Sequence, residues 1–296
     1  MKDKTRHIKR VVSARYQREG AGFLVRRPFP GVGFSFMDPF LLLDELGPVT
    51  YKSCEALGAP DHPHRGFETV TYLLQGEFEH KDSAGHQGVL RAGDVQWMTA
   101  GSGVVHSEMP SQSFFESGGV MHGFQVWINL PSSLKMTKPT YQEISNADIP
   151  HAFSKDRLAS VRVLAGQALG VQAIINTHVP IQYHDWTFRP GADIRIDVQV
   201  GHNIGIYVFS GRVRVGESLD LLETGQFAVL DEGGRVRFVL PSEEFSDARV
   251  LLLSGLPINE PIARYGPFVM STEEELQQAF IDYKNGRMGL INPEVV

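Results

Sequence analysis

Asp61-His-Pro-His-Arg-Gly-Phe-Glu-Thr-Val70 carries two histidines one residue apart, and Val105-His-Ser-Glu-Met-Pro110 follows it with a His-x-Glu pair. In an extended strand, residues i and i+2 point to one face, so His62 and His64 can aim two ring nitrogens at a single point. Pro63 holds His62 extended, which favours that convergence. On the same principle His106 and Glu108 bring a third nitrogen and a carboxylate oxygen. Such donors suit Fe(II), Ni, Cu or Zn better than Mg or Ca. As structural residues the paired imidazoles would be costly, because each would need its own buried partner. Glu68 shares the parity of the first pair and is a rival carboxylate. A β-barrel is the fold that brings the two pairs together.

The flanking residues read as strands. Phe67-Glu-Thr-Val-Thr-Tyr-Leu-Leu74 and Phe124-Gln-Val-Trp-Ile128 alternate and are rich in β-branched and aromatic side chains. Gly76, Gly85, Gly88, Gly93, Gly101 and Gly103 punctuate the stretch between them at turn-like intervals. A second strand-rich block begins near Val161 and repeats the first. Tyr72-Leu-Leu-Gln-Gly76 matches Tyr207-Val-Phe-Ser-Gly211, and Leu90-Arg-Ala-Gly93 matches Leu222-Glu-Thr-Gly225. One barrel is thus duplicated within the chain. Counted from these anchors, His62 falls on Asp197, His64 on Gln199, Glu68 on Asn203, His106 on Phe238 and Glu108 on Leu240. The second copy keeps the frame and lacks the ligands.

The expected organisation is all-β: a metal-binding barrel over residues 1–135 and a ligand-free barrel over 136–296. They are joined in the polar, proline-containing stretch Leu130–Pro139. The tail reads as a helix. Ser271 or Thr272 can cap it, Thr272 with Glu275 makes a capping box, Leu276, Phe280 and Tyr283 form a stripe, and Gly286 ends it.

Composition narrows the function classes. With 296 residues, 42% of them hydrophobic, 30 glycines and 17 prolines, the chain suits two turn-rich β domains better than a helical bundle. The net charge of −6 argues against a broadly basic nucleic-acid surface. Lys2, Lys4, Arg6, Lys9 and Arg10 cluster against Asp3 and read as a solvated arm, with a phosphate- or partner-binding arm as the alternative. No apolar run approaches the ~20 residues of a membrane span, and the N-terminus lacks the apolar core of a secretory signal. The expectation is a cytoplasmic protein. Cys54 is the one cysteine, which excludes an intrachain disulfide and fits a reducing compartment; it reads as a buried or half-buried small apolar residue. His80 and His86 bracket a hairpin turn and are expected at the surface. Trp97 and Met98 read as core residues, and Phe67, Phe78 and Phe124 as core or substrate-stacking residues.

The spacing of the metal-site residues resembles the cupin superfamily, small barrels that hold a metal with a His-x-His motif and a later histidine. Two departures point to one branch of it. Gly76 lies one residue late for the first cupin motif, and His106 two residues late for the second. Asp61–Val70, Gly93-Asp-Val-Gln-Trp-Met-Thr-Ala-Gly101 and Val105–Pro110 are similar to the pirin signature. Glu19-Gly-Ala-Gly-Phe23, Gln125-Val-Trp-Ile-Asn-Leu-Pro131 and Pro261-Ile-Ala-Arg-Tyr-Gly-Pro-Phe-Val-Met270 extend the likeness over nearly the whole chain.

The resemblance implies a monomeric bicupin with one divalent metal in the N-terminal barrel. The metal is held by the residues matching His62, His64, His106 and Glu108, with Glu68 orienting a ligand histidine from outside the coordination sphere. Fe(II) is the metal implied; Ni, Cu, Mn, Co and Zn fit the same donors. The implied activity is opening of a flavonol such as quercetin by dioxygen, a 2,3-dioxygenase reaction that releases carbon monoxide, with Glu108 as proton acceptor. The competing class is a non-catalytic, metal- or redox-responsive regulator acting through protein partners, as transcription coregulator or as partner of a metabolic enzyme. Neither needs nucleic acid or a membrane as a direct partner.

Overall fold

A computed structural model describes residues 2–291. The chain folds into two compact units, and they do not divide at a single cut. One comprises residues 16–27, 40–146 and 258–296; the other comprises 1–15, 28–39 and 147–257. The expected boundary near residue 135 differs from the observed one for a visible reason. Strand Thr140–Ile144 pairs with Val95–Thr99, so the chain stays in the first barrel until Asn146. Within Leu130–Pro139, Ser132–Leu134 form a 3-10 turn and Lys135 is buried. Composition marks this stretch as a linker, but it is packed.

In the first unit a seven-stranded sheet runs Thr140–Ile144, Val95–Thr99, Phe67–Gln75, Gly119–Asn129, Phe40–Tyr51, Phe23–Phe29, Arg15–Glu19. Facing it is a four-stranded sheet in the order Ala59–His64, Val104–Pro110, Glu77–Asp82, Gln87–Arg91. The second unit repeats the plan. Its seven strands run Ile8–Ser13, Gln226–Leu230, Asn203–Ser210, Ala248–Gly255, Ile181–Phe188, Ala159–Ala165, His151–Phe153. Its four are Asp193–Asp197, Arg235–Val239, Arg212–Val215 and Asp220–Glu223. These are two cupin barrels, as the internal repeat implied. The matched turn glycines serve the same end in both: Gly93 and Gly225 sit at φ 93 and 87, a region that other residues enter only with strain.

The second barrel is filled with apolar side chains, Phe238 and Leu240 among them. The counted equivalence of His62 with Asp197 does not hold. The Asp197 side chain is 87% exposed and pairs with Arg235, while Ile194 and Ile196 are the inward members of its strand. The cause is a longer connection: strand Asp193–Asp197 is followed at Asn203, whereas Ala59–His64 is followed at Phe67. Gln199 therefore lies beyond the strand. Aliphatic and aromatic residues make up most of the interior, with His184 and Gln182 buried among them.

The tail helix is Glu273–Lys284, with Thr272 Oγ1 accepting the Glu275 amide at 3.2 Å and Glu275 accepting the Ser271 amide at 2.9 Å. Its buried residues are Leu276, Ala279 and Asp282, while Phe280 and Tyr283 pack on Phe268 but stay more than a third exposed, so the buried stripe is rotated from the expected one. A short helix that the sequence did not announce, Gln112–Ser117, is capped by Ser111.

Three further expectations change. Arg6 is not solvated: it is 1% exposed and donates to the carbonyls of Gly233, His202, Asp231 and Gln199 at 2.7–3.1 Å. The arm is instead drawn in as an edge strand, Ile8–Ser13 pairing with Gln226–Leu230. Cys54 is exposed, at φ 65 in a turn. His80 is buried because its strand faces the barrel interior, and only His86 of that pair is at the surface. Trp97 and Met98 are core residues, as read. Among the described residues no helix is long and apolar enough to cross a membrane.

Candidate metal centre

His62 and His64 close strand Ala59–His64, and antiparallel pairing sets His106 of Val104–Pro110 directly opposite His62. Same-face parity along one strand and register between two thus deliver three imidazoles to one place. One nitrogen of each ring lies within 4.8 Å of the other two. Ring centroids are 4.4 Å apart for His62 and His106, 4.7 Å for His62 and His64, and 5.0 Å for His64 and His106.

The outer hydrogen bonds set the tautomers. The Nδ1 of His62 donates to the Pro60 carbonyl at 2.7 Å, and that of His64 to the Pro267 carbonyl at 3.3 Å. A carbonyl only accepts, so each Nδ1 carries a proton, which leaves Nε2 as the nitrogen through which each ring would ligate. His106 is 1% exposed, and among the described residues neither of its ring nitrogens has a hydrogen-bond partner. A buried polar group left in that state costs about 1–3 kcal/mol, which a cation taking one nitrogen would remove. Burial, then the neighbouring imidazoles, hold the pKa values of His64 and His106 well below the ordinary histidine range. Both are therefore neutral near pH 7, the state in which imidazole ligates. The residues fit a divalent metal.

Glu108 is close by and differently engaged. Opposite His106 and Glu108, strand Ala59–His64 carries an extra residue between Ala59 and His62, whereas the pairing of His106–Glu108 with His80–Asp82 is regular. Glu108 accepts the Thr71 hydroxyl at 2.7 Å and the Gln125 amide at 2.8 Å, and its carboxylate lies outside the 4.8 Å group of nitrogens. Glu68 is fully buried and accepts the Thr99 hydroxyl at 2.7 Å.

Aromatic rings wall one side. Phe67 and Trp127 each stand 5.1 Å from the His64 ring and 4.4 Å from one another, with the Arg264 guanidinium 4.9 Å above Trp127. On the other side His80, opposite Glu108 across the strands, places Nε2 2.6 Å from the Glu143 carboxylate.

The turn after His64 is braced from the tail of the chain. Arg65 donates to the Ser102 carbonyl at 2.7 Å and pairs with Asp282 of the tail helix at 2.8 Å. Buried Lys135 donates to the carbonyls of Gly66 and Val269 and to Asn129 Oδ1 at 2.7–3.1 Å. Gly66, at φ 86, meets the Val269 carbonyl where any side chain would stand. Pro267, Thr71, Gln125 and Asp282 gave no signal in the sequence, because what they do depends on partners up to 217 residues away.

Comparison with known proteins bears on the whole chain. The pirin family model matches residues 22–128, and the model of the pirin C-terminal cupin domain matches 183–289. A pirin-like protein of Solanum lycopersicum is 43% identical over 284 residues, 96% of this chain and 93% of that one. The pirin of Homo sapiens is 41% identical over 281 residues, 94% of this chain and 92% of its own length. Among solved structures, a quercetin 2,3-dioxygenase from Acinetobacter baumannii superposes with a TM-score of 0.89 at 37% identity, covering 97% of this chain and 99% of that one.

Proposed function

The chain belongs to the pirin family, and from that premise we propose that it is a divalent-metal dioxygenase, with Fe(II) as the metal, that opens a flavonol such as quercetin with dioxygen and releases carbon monoxide. The observation that carries the reading is the triad of converging imidazoles, two with Nδ1 turned to backbone carbonyls and the third buried without a partner among the described residues. The likeness to a quercetin 2,3-dioxygenase at 37% identity supports the same chemistry.

His62, His64 and His106 would hold the metal, and Glu108 would complete the set or act from its edge. A divalent metal bound there supplies Lewis acidity toward a coordinated hydroxyl and a partner for dioxygen. The remaining work falls to the chain. Glu108, held on both oxygens by Thr71 and Gln125, is placed to accept the proton of the flavonol 3-hydroxyl. The tilted Phe67–Trp127 pair would orient an aromatic substrate, and the buried interior would keep water from the electron-rich enolate.

The test is oxygen uptake and carbon monoxide release on quercetin by iron-loaded protein. Wild type should exceed free iron. His62→Ala should fall to that background. Glu108→Gln should retain metal and lose about 100-fold or more in kcat, the usual weight of a general base. Turnover by loaded wild type no faster than free iron would sink the enzyme reading and favour a regulator acting through protein partners.

A further inference from the structure

The second barrel lost the ligands but kept an opening. A cavity of about 400 Å³ lies in this unit, walled by Gln167, Gln172, Asn176, Gln182, Gln199 and His202. It forms where the chain leaves strand Asp193–Asp197 for Asn203–Ser210, the end of the barrel at which the first unit sets His62 and His64.

Gln182 stands on the same face of its strand as Trp186 and Phe188, which belong to the core, so its side chain enters the barrel. It is 5% exposed; its Nε2 donates to the Gln167 carbonyl at 3.4 Å, while its Oε1 is buried with no hydrogen-bond partner among the described residues. A buried amide oxygen in that condition seeks a donor. The opposite wall is rigid. Arg6 donates to the carbonyls of Gln199 and His202 at 3.1 and 3.0 Å, and His202 Nδ1 contacts the Ser254 hydroxyl at 3.1 Å.

The lining also shows what the cavity does not accept. Among the described residues no carboxylate, lysine or arginine faces it, so an ion would give up hydration without meeting a counter-charge. Amide side chains donate and accept at once, and so do hydroxyl groups. The volume falls in the range of small-molecule sites. We infer that the second barrel is a binding site for a neutral, hydroxyl-rich molecule of about sugar size, with Gln182 Oε1 accepting from one of its hydroxyls. This inference is independent of the activity proposed for the first unit.

The test uses the full chain and ligand-observed NMR titration. D-glucose, myo-inositol and maltose are the neutral probes; gluconate and glucosamine are charged controls. At least one neutral probe should saturate with a Kd of roughly millimolar order, the scale of a few net hydrogen bonds. Gln182→Leu should weaken it about 10-fold or more, the worth of one buried hydrogen bond. Gln172→Trp, at the exposed rim, should block entry to the same extent, and it carries the test alone if Gln182→Leu does not fold. The charged controls should bind more weakly. The inference is overturned if no neutral probe saturates by about 50 mM, if the charged controls bind as well, or if the folded variants bind like wild type.

Discussion

At the scale of single residues, His106 and His184 make a useful contrast, since each is a fully buried histidine inside a barrel. His106 has two other imidazoles around it and His184 has none at metal spacing. Replacing His106 by Ala should therefore abolish stoichiometric metal, read by elemental analysis of anaerobically purified protein, while His184→Leu should leave it unchanged. The signature of His184 is its pH dependence. Burial pushes its pKa from 6.5 down to about 3, so the unfolded chain binds a proton there that the folded chain refuses. Its contribution is complete above pH 6.5 and is lost as pH falls toward 3, on the order of 5 kcal/mol over that window. Denaturant titrations at several pH values should show a shallower acid slope for His184→Leu. An unchanged slope would mean that the ring is protonated inside the fold.

At the scale of elements, the tail helix shows why a local reading can be right about structure and miss its use. Its cap was legible because Thr272 and Glu275 lie within one turn of each other. Its buried face was not, because Leu276, Ala279 and Asp282 are chosen by what the helix packs on. Asp282 reaches Arg65, next to His64, so the helix braces the strand that carries two of the proposed ligands. Thr272→Ala should cost about 1 kcal/mol in chemical denaturation, the usual worth of an N-cap. Asp282→Ala should do more to the site than to the fold, weakening metal affinity about 10-fold, as removal of outer support does. If metal affinity is untouched in that variant, the helix is merely a cover. Lys135→Met should destabilise the first unit by about 3 kcal/mol or more, since three buried acceptors lose their donor at once.

At the scale of the whole molecule, the duplicated architecture and the three histidines were legible because covalent spacing carries them: parity along a strand, and turn glycines repeated at matched intervals. What depended on loop length was not. Three extra residues after Asp197 shifted the counted equivalence of the second copy. The arm with Arg6 looked solvated because nothing in its sequence names the four carbonyls that receive it. Glu108 lay at the expected parity, and the extra residue in the facing strand Ala59–His64 could not be read from the sequence. Metal is expected to act on stability as any ligand of the native state does. Free metal at 100 times its Kd should add about 2.7 kcal/mol to the first unit, and a chelator should remove it, seen as a fall in Tm that His62→Ala no longer shows.

The brace on His64 comes from Pro267, 203 residues further along the chain. During synthesis the first barrel thus cannot close its metal pocket when its own strands emerge from the ribosome. Its last supports, at Pro267, Val269 and Asp282, arrive only after the entire second barrel has been made. Closure of the three-histidine pocket is therefore expected to wait for a segment that is made after the second barrel.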